Sequence, residues 1–132
     1  MKVPVIDITR FIKDDLTQQV LELKKKDIKL KLVNILIGET PEQLAYVKMK
    51  QKLAREFGIE MEFIHMKEPP AFLQFANLLK DKSQDPLVHG VVMEQPLPSS
   101  LQSDTIYNFI PLTKELEGRR KKTEFLPPVG MA

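Results

Sequence analysis

Hydrophobic positions along the chain follow two different spacings, and their order predicts alternating strands and helices. Apolar runs or period-two alternations bounded by Gly or Pro are typical of strands, whereas apolar residues repeated every three or four positions indicate helices. The predicted strands cover residues 30–37, 60–66 and 87–93, and the predicted helices cover residues 14–26, 41–57, 71–82 and 103–109. This order is typical of an α/β fold, so we expect a three-layer αβα domain with a mostly parallel sheet.

The helix predicted over residues 41–57 has the clearest boundaries. Thr40 can cap its first turn, Pro41 suits the first helical position, and Gly58 can adopt the left-handed conformation that ends a helix. The start of the chain carries no comparable signal. We expect residues 1–13 to be extended and to lead into the first helix.

Several polar side chains are predicted to meet at one edge of the sheet. Ligands of parallel α/β sheets bind beyond the carboxyl ends of the strands. The turn at residues 38–41, the start of the next helix and the loop at residues 94–98 belong to that edge. Tyr46 and Lys50 stand four positions apart on this helix, which puts a phenol and an amine on one face. We therefore expect both side chains to lie near the 94–98 loop.

Composition restricts the classes of protein and partner. With 132 residues, 42% of them hydrophobic, the chain fits one compact domain over residues 1–132 with a real core. The net charge of +2 is too small to predict nucleic-acid binding, and the lack of cysteine excludes disulfides and thiolate sites. No apolar stretch approaches the roughly 18 residues of a membrane span, so we expect a cytoplasmic protein without a membrane partner.

The two histidines do not predict a metal site. His65 lies beside apolar neighbours in a predicted strand, and His89 directly precedes Gly90. Neither has a second ligand at metal-binding spacing, so we expect both to be structural and predict no metal. The basic run at residues 119–122 lacks interleaved aromatic residues, which is typical of a solvated tail rather than of a nucleic-acid site.

Two motifs resemble one enzyme family. Residues 46–59 read YVKMKQKLAREFGI, and residues 90–98 read GVVMEQPLP. They resemble the catalytic domain of the bifunctional methylenetetrahydrofolate dehydrogenase/cyclohydrolases, which carry Tyr-x-x-x-Lys-x-Lys ahead of Gly-Ile and a later Gly-x-x-Val-Gln-Leu-Pro-Leu-Pro. Residues 114–118 stand where that family has Lys-Asp-Val-Asp-Gly, and residues 125–130 resemble its Phe-x-Pro-Cys-Thr-Pro-x-Gly, shortened by two.

The resemblance implies a site for a tetrahydrofolate derivative as substrate. The family's lysine transfers a proton in cyclohydrolase chemistry, a role that would fall on Lys50, and its tyrosine packs against the folate pterin, as Tyr46 would. The pterin-anchoring aspartate corresponds to Glu117. Gln43, together with Gln95 and Pro96 of the second motif, completes the set of expected substrate contacts. Lys50, Tyr46 and Glu94 are the expected catalytic residues.

Three polar positions depart from the family's pattern. Glu94 replaces a glutamine that contacts the lysine, and a carboxylate beside Lys50 favours the ammonium form, which opposes its use as a base near neutral pH. Gln95 could supply the amide, but alternation along a strand would point it to the other face. Glu117 is one methylene longer than the aspartate. Gln43 stands where the family usually has a serine.

The resemblance also bears on cofactors and partners. In the family a Rossmann-type domain that binds the dinucleotide follows this region, but the sequence contains no Gly-x-Gly-x-x-Gly among its five glycines. We therefore expect no cofactor in this chain, and NADP or NAD only where a second domain is supplied. Residues 119–132 would then be a tail or the start of an interdomain linker. A missing Rossmann domain or a homodimer is the expected protein partner.

Two interpretations of function remain open on these residues. The first is an enzyme domain of folate one-carbon metabolism with Lys50 as the proton-transfer residue. The second is a degenerate, non-enzymatic module that keeps the folate scaffold for binding or assembly, as the changes at Gln43, Glu94 and Glu117 suggest. Without the resemblance, Lys50 would be one of several solvated lysines, and Glu117 would belong to an exposed stretch of alternating charge.

Overall fold

The computed structural model describes residues 4–103 and 105–119. These residues form three helices, three strands and one short 3-10 helix. In chain order the elements are α1 (Val5–Lys25), β1 (Lys31–Ile37), α2 (Pro41–Phe57), β2 (Glu60–Met66), α3 (Phe72–Gln84), β3 (Gly90–Met93) and the 3-10 helix at Ile106–Phe109.

The three strands form a parallel sheet in the order β2-β1-β3. Ile35 at the middle of β1 pairs with Ile64 of β2 on one side and with Met93 of β3 on the other. Helix α2 connects β1 to its neighbour β2, and helix α3 connects β2 to β3 on the other side of β1, so both connections between the parallel strands contain a helix. The α/β fold with a parallel sheet between helices is thus confirmed.

The main hydrophobic core lies between the sheet and α3. Successive side chains of a strand point to opposite faces, so alternate residues of β1 enter this core while those between them face α2. Phe75 and Leu79 of α3 pack against these β1 side chains in the core. The core residues supplied by the sheet are Val33, Ile35, Ile37, Val91 and Met93.

The two ends of α2 follow from its flanking residues. The Thr40 hydroxyl accepts a hydrogen bond from the Gln43 backbone N–H at 3.2 Å, and Gln43 Oε1 accepts one from the Thr40 backbone N–H at 3.3 Å. This reciprocal capping box satisfies two donors that a helix start leaves free. Gly58 ends the helix with a left-handed φ of 73°. The predicted boundaries of α2 are confirmed.

The prediction for the start of the chain was wrong. The stretch expected to be extended is helical from Val5 onward, which makes α1 a 21-residue helix. Its apolar residues Val5, Ile8 and Ile12 continue the helical spacing of the later part, but they are exposed. Only Val20 of α1 is buried, so the first half of this helix contributes little to the described core.

Three other boundaries also differ from the sequence prediction. Strand β3 begins at Gly90 instead of residue 87, because a turn closes there with the Val88 N–H donating to the Asp85 carbonyl at 3.1 Å. Helix α3 continues to Gln84, and the helix expected over residues 103–109 is reduced to one 3-10 turn.

Part of the sequence lies outside the described residues. The motif at residues 125–130 and most of the basic run at residues 119–122 belong to that part. Within the described residues, no helix is both long and apolar enough to cross a membrane.

Candidate active site

The site is built where the carboxyl end of β3 meets the first half of α2. The Glu94 N–H donates to the Ile35 carbonyl at 2.8 Å, so the chain leaves the sheet still hydrogen-bonded to β1. A cis peptide bond between Gln95 and Pro96 follows at once. The hydrogen bond to Ile35 keeps the Glu94 backbone beside β1.

An ion pair joins the loop to the helix. Lys50 Nζ of α2 lies 2.7 Å from Glu94 Oε1. The Glu94 side chain is only 7% exposed and that of Lys50 is 27% exposed, so water reaches the ammonium more readily than the carboxylate. A buried carboxylate is stable only when it is paired, and Lys50 provides that pairing.

Tyr46 lies one helical turn before Lys50 on the same face. The centre of its ring is 5.2 Å from Lys50 Nζ, within the range of a cation–π contact. The residue is 56% exposed, which leaves the phenol ring open to the cavity beside it. Helical spacing accounts for this pairing of amine and ring.

Gln43 and Gln95 connect the start of α2 to the loop. Gln43 Nε2 donates to the Gln95 carbonyl at 3.5 Å, while its Oε1 completes the capping box. Gln95 Nε2 donates to the hydroxyl of Tyr107 in the 3-10 helix. Burial raises the pKa of the Tyr107 phenol, against the opposing charge of Arg119. Tyr107 was not identified from the sequence, because nothing local links it to the loop.

The side chains of Glu94 and Gln95 reach different partners. The Glu94 carboxylate pairs with Lys50, whereas Gln95 Nε2 donates to the Tyr107 hydroxyl and, at 3.5 Å, to the Met93 carbonyl. Both residues line the same cavity, although β3 itself ends at Met93.

The site cavity has a volume of about 490 Å³ and lies between α2 and the loop. All seven residues selected from the sequence line it, together with Thr40, Glu42, Met93 and Arg119. The seven are Gln43, Tyr46, Lys50, Glu94, Gln95, Pro96 and Glu117. The tertiary fold therefore brings three separate parts of the sequence to one pocket.

Glu117 lines the cavity from the segment that follows the 3-10 helix. Burial raises the pKa of its carboxyl above the ordinary value, and the positive charges of Lys50 and Arg119 oppose that rise. Glu115 holds this segment in place, since its Oε1 accepts hydrogen bonds from the N–H groups of Glu117 at 3.0 Å and Arg119 at 3.3 Å. Glu115 is buried, a position that the surrounding charged sequence did not indicate.

Both histidines make local contacts with the backbone. His89 Nδ1 accepts a hydrogen bond from the Lys31 N–H at 3.1 Å, and His65 Nε2 lies 2.6 Å from the Gly38 carbonyl. These contacts fit the structural roles expected from the sequence. Across residues 4–103 and 105–119, no group of three or more acidic or histidine side chains could hold a metal ion.

Comparison with known protein families shows which family has a domain of this kind. The family model described as "Tetrahydrofolate dehydrogenase/cyclohydrolase, catalytic domain" matches residues 6–117. The chain belongs to this family. The match includes every residue that lines the site cavity except Arg119.

Members of the tetrahydrofolate dehydrogenase/cyclohydrolase family are similar in sequence across most of this chain. The bifunctional protein FolD of Shouchella clausii is 29% identical over 112 residues, covering 85% of this chain and 40% of that protein. FolD of Campylobacter jejuni is 33% identical over 107 residues, covering 81% of this chain and 38% of that protein. The chain thus spans about two fifths of these relatives' length.

Solved structures of the family share the fold. The crystal structure of the Campylobacter jejuni FolD dehydrogenase/cyclohydrolase superposes with a TM-score of 0.85 at 29% identity, covering 92% of this chain and 46% of that one. The NAD-dependent 5,10-methylenetetrahydrofolate dehydrogenase of Saccharomyces cerevisiae gives a TM-score of 0.76 at 20% identity, covering 87% and 36%. At that identity the second likeness supports the fold alone.

Proposed function

We propose that this domain binds a reduced folate in the site cavity and that Lys50 transfers a proton during hydrolysis of the methenyl form. The observation that carries the proposal is the Lys50–Glu94 pair, 2.7 Å apart, facing a cavity of about 490 Å³ that Tyr46 and Glu117 also line. A cation, an aromatic face and a carboxylate in one pocket suit a planar ligand that carries both charge and ring amino groups.

Each side chain has a separate part in binding. The exposed ring of Tyr46 can stack on an aromatic portion of the folate, since offset stacking suits two planar π systems. The Glu117 carboxylate can accept hydrogen bonds from the amino and N–H groups of the pterin ring. Gln43, Gln95 and Pro96 shape the wall between the helix and the loop and keep the cavity open.

The proposed proton transfer starts from the charged lysine. Water adds to the methenyl carbon, forms a C–O bond and loses one proton to solvent. As the bond from that carbon to the ring nitrogen breaks, the Lys50 ammonium gives its proton to the nitrogen and regains one from the new hydroxyl, leaving a formyl group. Glu94 pairs with the Lys50 ammonium at 2.7 Å, and in this step the lysine acts first as a proton donor.

Hydride transfer needs a nicotinamide cofactor besides these residues. The related Trypanosoma brucei dehydrogenase-cyclohydrolase was crystallised with NADP as its cofactor, and the related Saccharomyces cerevisiae dehydrogenase is NAD-dependent. We propose that this chain's residues bind only the folate, and that dehydrogenase activity depends on a second domain that holds NADP or NAD. A homodimer and a cytoplasmic location stay predictions; the yeast relative named cytoplasmic C-1-tetrahydrofolate synthase is 33% identical over 87 residues.

Calorimetry and a hydrolysis assay test the proposal together. Wild type should bind 5-formyltetrahydrofolate and should speed the loss of absorbance of 5,10-methenyltetrahydrofolate. Lys50→Ala should lower the hydrolysis rate constant by roughly a hundredfold or more, the usual contribution of a proton-transfer group. Lys48→Ala is the matched control, since Lys48 lies on the same helix but is exposed and away from the cavity. Absence of folate binding by wild type would contradict the proposal.

The Lys50–Glu94 pair also favours a second candidate, a folate-binding module without catalysis. An ammonium that is ion-paired at 2.7 Å with a buried carboxylate has no lone pair with which to take a proton from water. Under this candidate, wild type binds folate but does not hydrolyse the methenyl form. The double variant Glu94→Gln with Glu117→Asp tests this second candidate in the same hydrolysis assay. If only the variant hydrolyses the methenyl form, the wild-type domain has lost catalysis through the changes at these two positions. If the wild type hydrolyses it, the non-catalytic candidate is wrong.

A further inference from the structure

A second cavity, which we call the loop cavity, is lined by residues of the 94–98 loop and of the 3-10 helix. Its volume is about 330 Å³, within the range of small-molecule sites. Three carboxylates line the site cavity, those of Glu42, Glu94 and Glu117, whereas no acidic residue of the described chain lines the loop cavity. The polar residues that line the loop cavity are Gln95, Gln102, Ser103, Tyr107 and Arg119.

Arg119 gives the loop cavity a positive charge. Its backbone is held in place, since its N–H donates to Glu115 Oε1 at 3.3 Å. Its guanidinium makes no ion pair and no hydrogen bond with the residues that the structure describes. Only Nε is enclosed without an acceptor, so the two terminal nitrogens stay open to a ligand. Partly buried charged donors ordinarily have an acceptor, so this cation lacks the partner that its position calls for.

The Tyr107 hydroxyl provides a second donor near that charge. It accepts a hydrogen bond from Gln95 Nε2, which leaves its own hydrogen available. Burial raises the pKa of this phenol, and the positive charge of Arg119 opposes the rise, so the two groups are close enough to interact. The phenol is therefore protonated at neutral pH and can donate.

The other polar side chains of the loop cavity already have partners. Gln102 Nε2 donates to the Leu97 carbonyl at 2.7 Å. Ser103 Oγ accepts from the Thr105 N–H at 3.2 Å and lies 2.9 Å from the Thr105 hydroxyl. The guanidinium and the phenol are thus the donors that a ligand in this cavity would meet.

We propose that the loop cavity binds a compact oxyanion, a phosphate or a carboxylate, through Arg119 and Tyr107. A guanidinium presents paired N–H groups that match two oxygens of such an anion, and the phenol can donate to another oxygen. The anion is either a free ion or the carboxylate end of a ligand held in the site cavity, because Arg119 lines both cavities. This site is additional to the proposed folate function and does not depend on it.

Calorimetry with inorganic phosphate at constant ionic strength tests the site. Wild type should bind phosphate, and Arg119→Gln should weaken binding tenfold or more, since charge-assisted hydrogen bonds are lost. Arg119→Lys keeps the charge without the planar fork and should bind with intermediate affinity. Tyr107→Phe keeps the ring but loses one donor, and should weaken binding about fivefold. Arg55→Gln, which removes the same charge from an exposed position of α2, is the matched control.

Melting temperatures separate a binding defect from a folding defect. Phosphate should raise the melting temperature of wild type and of Arg55→Gln but not that of Arg119→Gln, because only a bound ion stabilises the folded state. Absence of phosphate binding by wild type would overturn the inference. So would equal losses of affinity in Arg119→Gln and Arg55→Gln, which would assign binding to overall charge.

A second titration, with 5-formyltetrahydrofolate, distinguishes the two sources of the anion. For a free ion, Arg119→Gln keeps the wild-type affinity for this folate, and phosphate still binds to the folate-saturated protein. For a carboxylate of the ligand, Arg119→Gln weakens folate binding about tenfold, and saturating folate excludes phosphate. Failure of wild type to bind folate would contradict the proposed function alone, since the phosphate titration contains no folate.

Discussion

The two faces of the sheet differ in how they use the same strand. On the α3 face, Val33 and Ile35 of β1 enter a closed apolar core with Phe75 and Leu79. On the α2 face, the intervening Asn34 lines a space of about 280 Å³ whose lining also includes Lys50 and Glu117. The α3 face is closely packed, whereas the α2 face, the open face of the sheet, keeps unfilled space and charged groups. Alternation along β1 therefore separates the residues of the closed core from those that face the space beneath α2.

The largest effect is expected on the packed face. Phe75→Ala should lower the free energy of unfolding by about 3–5 kcal/mol, because Phe75 is 0% exposed and its loss leaves a cavity in the core. Urea unfolding measures the change. Leu73→Ala, on the same helix but 75% exposed, should change it by less than about 0.5 kcal/mol. Equal effects of the two changes would mean that the packing difference within α3 is not real.

On the open face, the two halves of the ion pair should not be equivalent. Lys50→Met removes the partner of a buried carboxylate and should lower the free energy of unfolding by about 2–3 kcal/mol, less than a fully buried pair because Lys50 is partly exposed. Glu94→Gln leaves an ammonium that water can reach and should cost about 1 kcal/mol or less. Urea unfolding of both variants at the same pH checks this. A larger cost for Glu94→Gln would contradict the burial of Glu94.

Tyr46 should separate binding from stability. Tyr46→Ala should weaken binding of 5-formyltetrahydrofolate roughly tenfold, since it removes a stacking surface worth about 1 kcal/mol. Its melting temperature should change little because the residue is half exposed. Tyr46→Phe keeps the ring and should bind like wild type in calorimetry. Equal losses in the two variants would assign the effect to the hydroxyl.

The smallest effect is the pH dependence contributed by Glu117. Its pKa is raised in the folded state above the ordinary value of 4.5, so the folded state holds this proton more tightly than the unfolded state does. Its contribution to stability is therefore most favourable below pH 4.5 and falls as pH rises through the window between 4.5 and the raised folded pKa.

Glu117→Gln should remove that fall. The variant should gain stability relative to wild type between about pH 4 and about pH 7, and little of the gain should be present at the acid end. Urea unfolding at the two pH values provides the measurement. Glu42→Gln, an exposed change at the rim of the same cavity, is the control. A difference between variant and wild type that is the same at both pH values would contradict the raised pKa.

Local signals in the sequence were enough for much of the scaffold. The ends of α2 were predictable because a capping residue, a proline and a left-handed glycine each act within a few positions. The first turns of α1 were wrongly expected to be extended. Their apolar residues have helical spacing, but they are exposed and do not pack against the core. The length of β3 was overestimated because the turn at Asp85 and Val88 uses residues that also suit a strand.

The sequence by itself determined the order of elements, the position of Tyr46 and Lys50 on one helical face, and the motifs that carry the family resemblance. Periodicity, capping and spacing are properties of neighbouring residues, and they survive without the rest of the fold. Local spacing could not bring Lys50 to Glu94, 44 residues away along the chain; the family resemblance implied this contact, and the tertiary structure forms it. It also decided that Gln95 reaches Tyr107 and that Asn34 is buried without a partner. Such contacts depend on how helix, sheet and loop pack together, which no local pattern specifies.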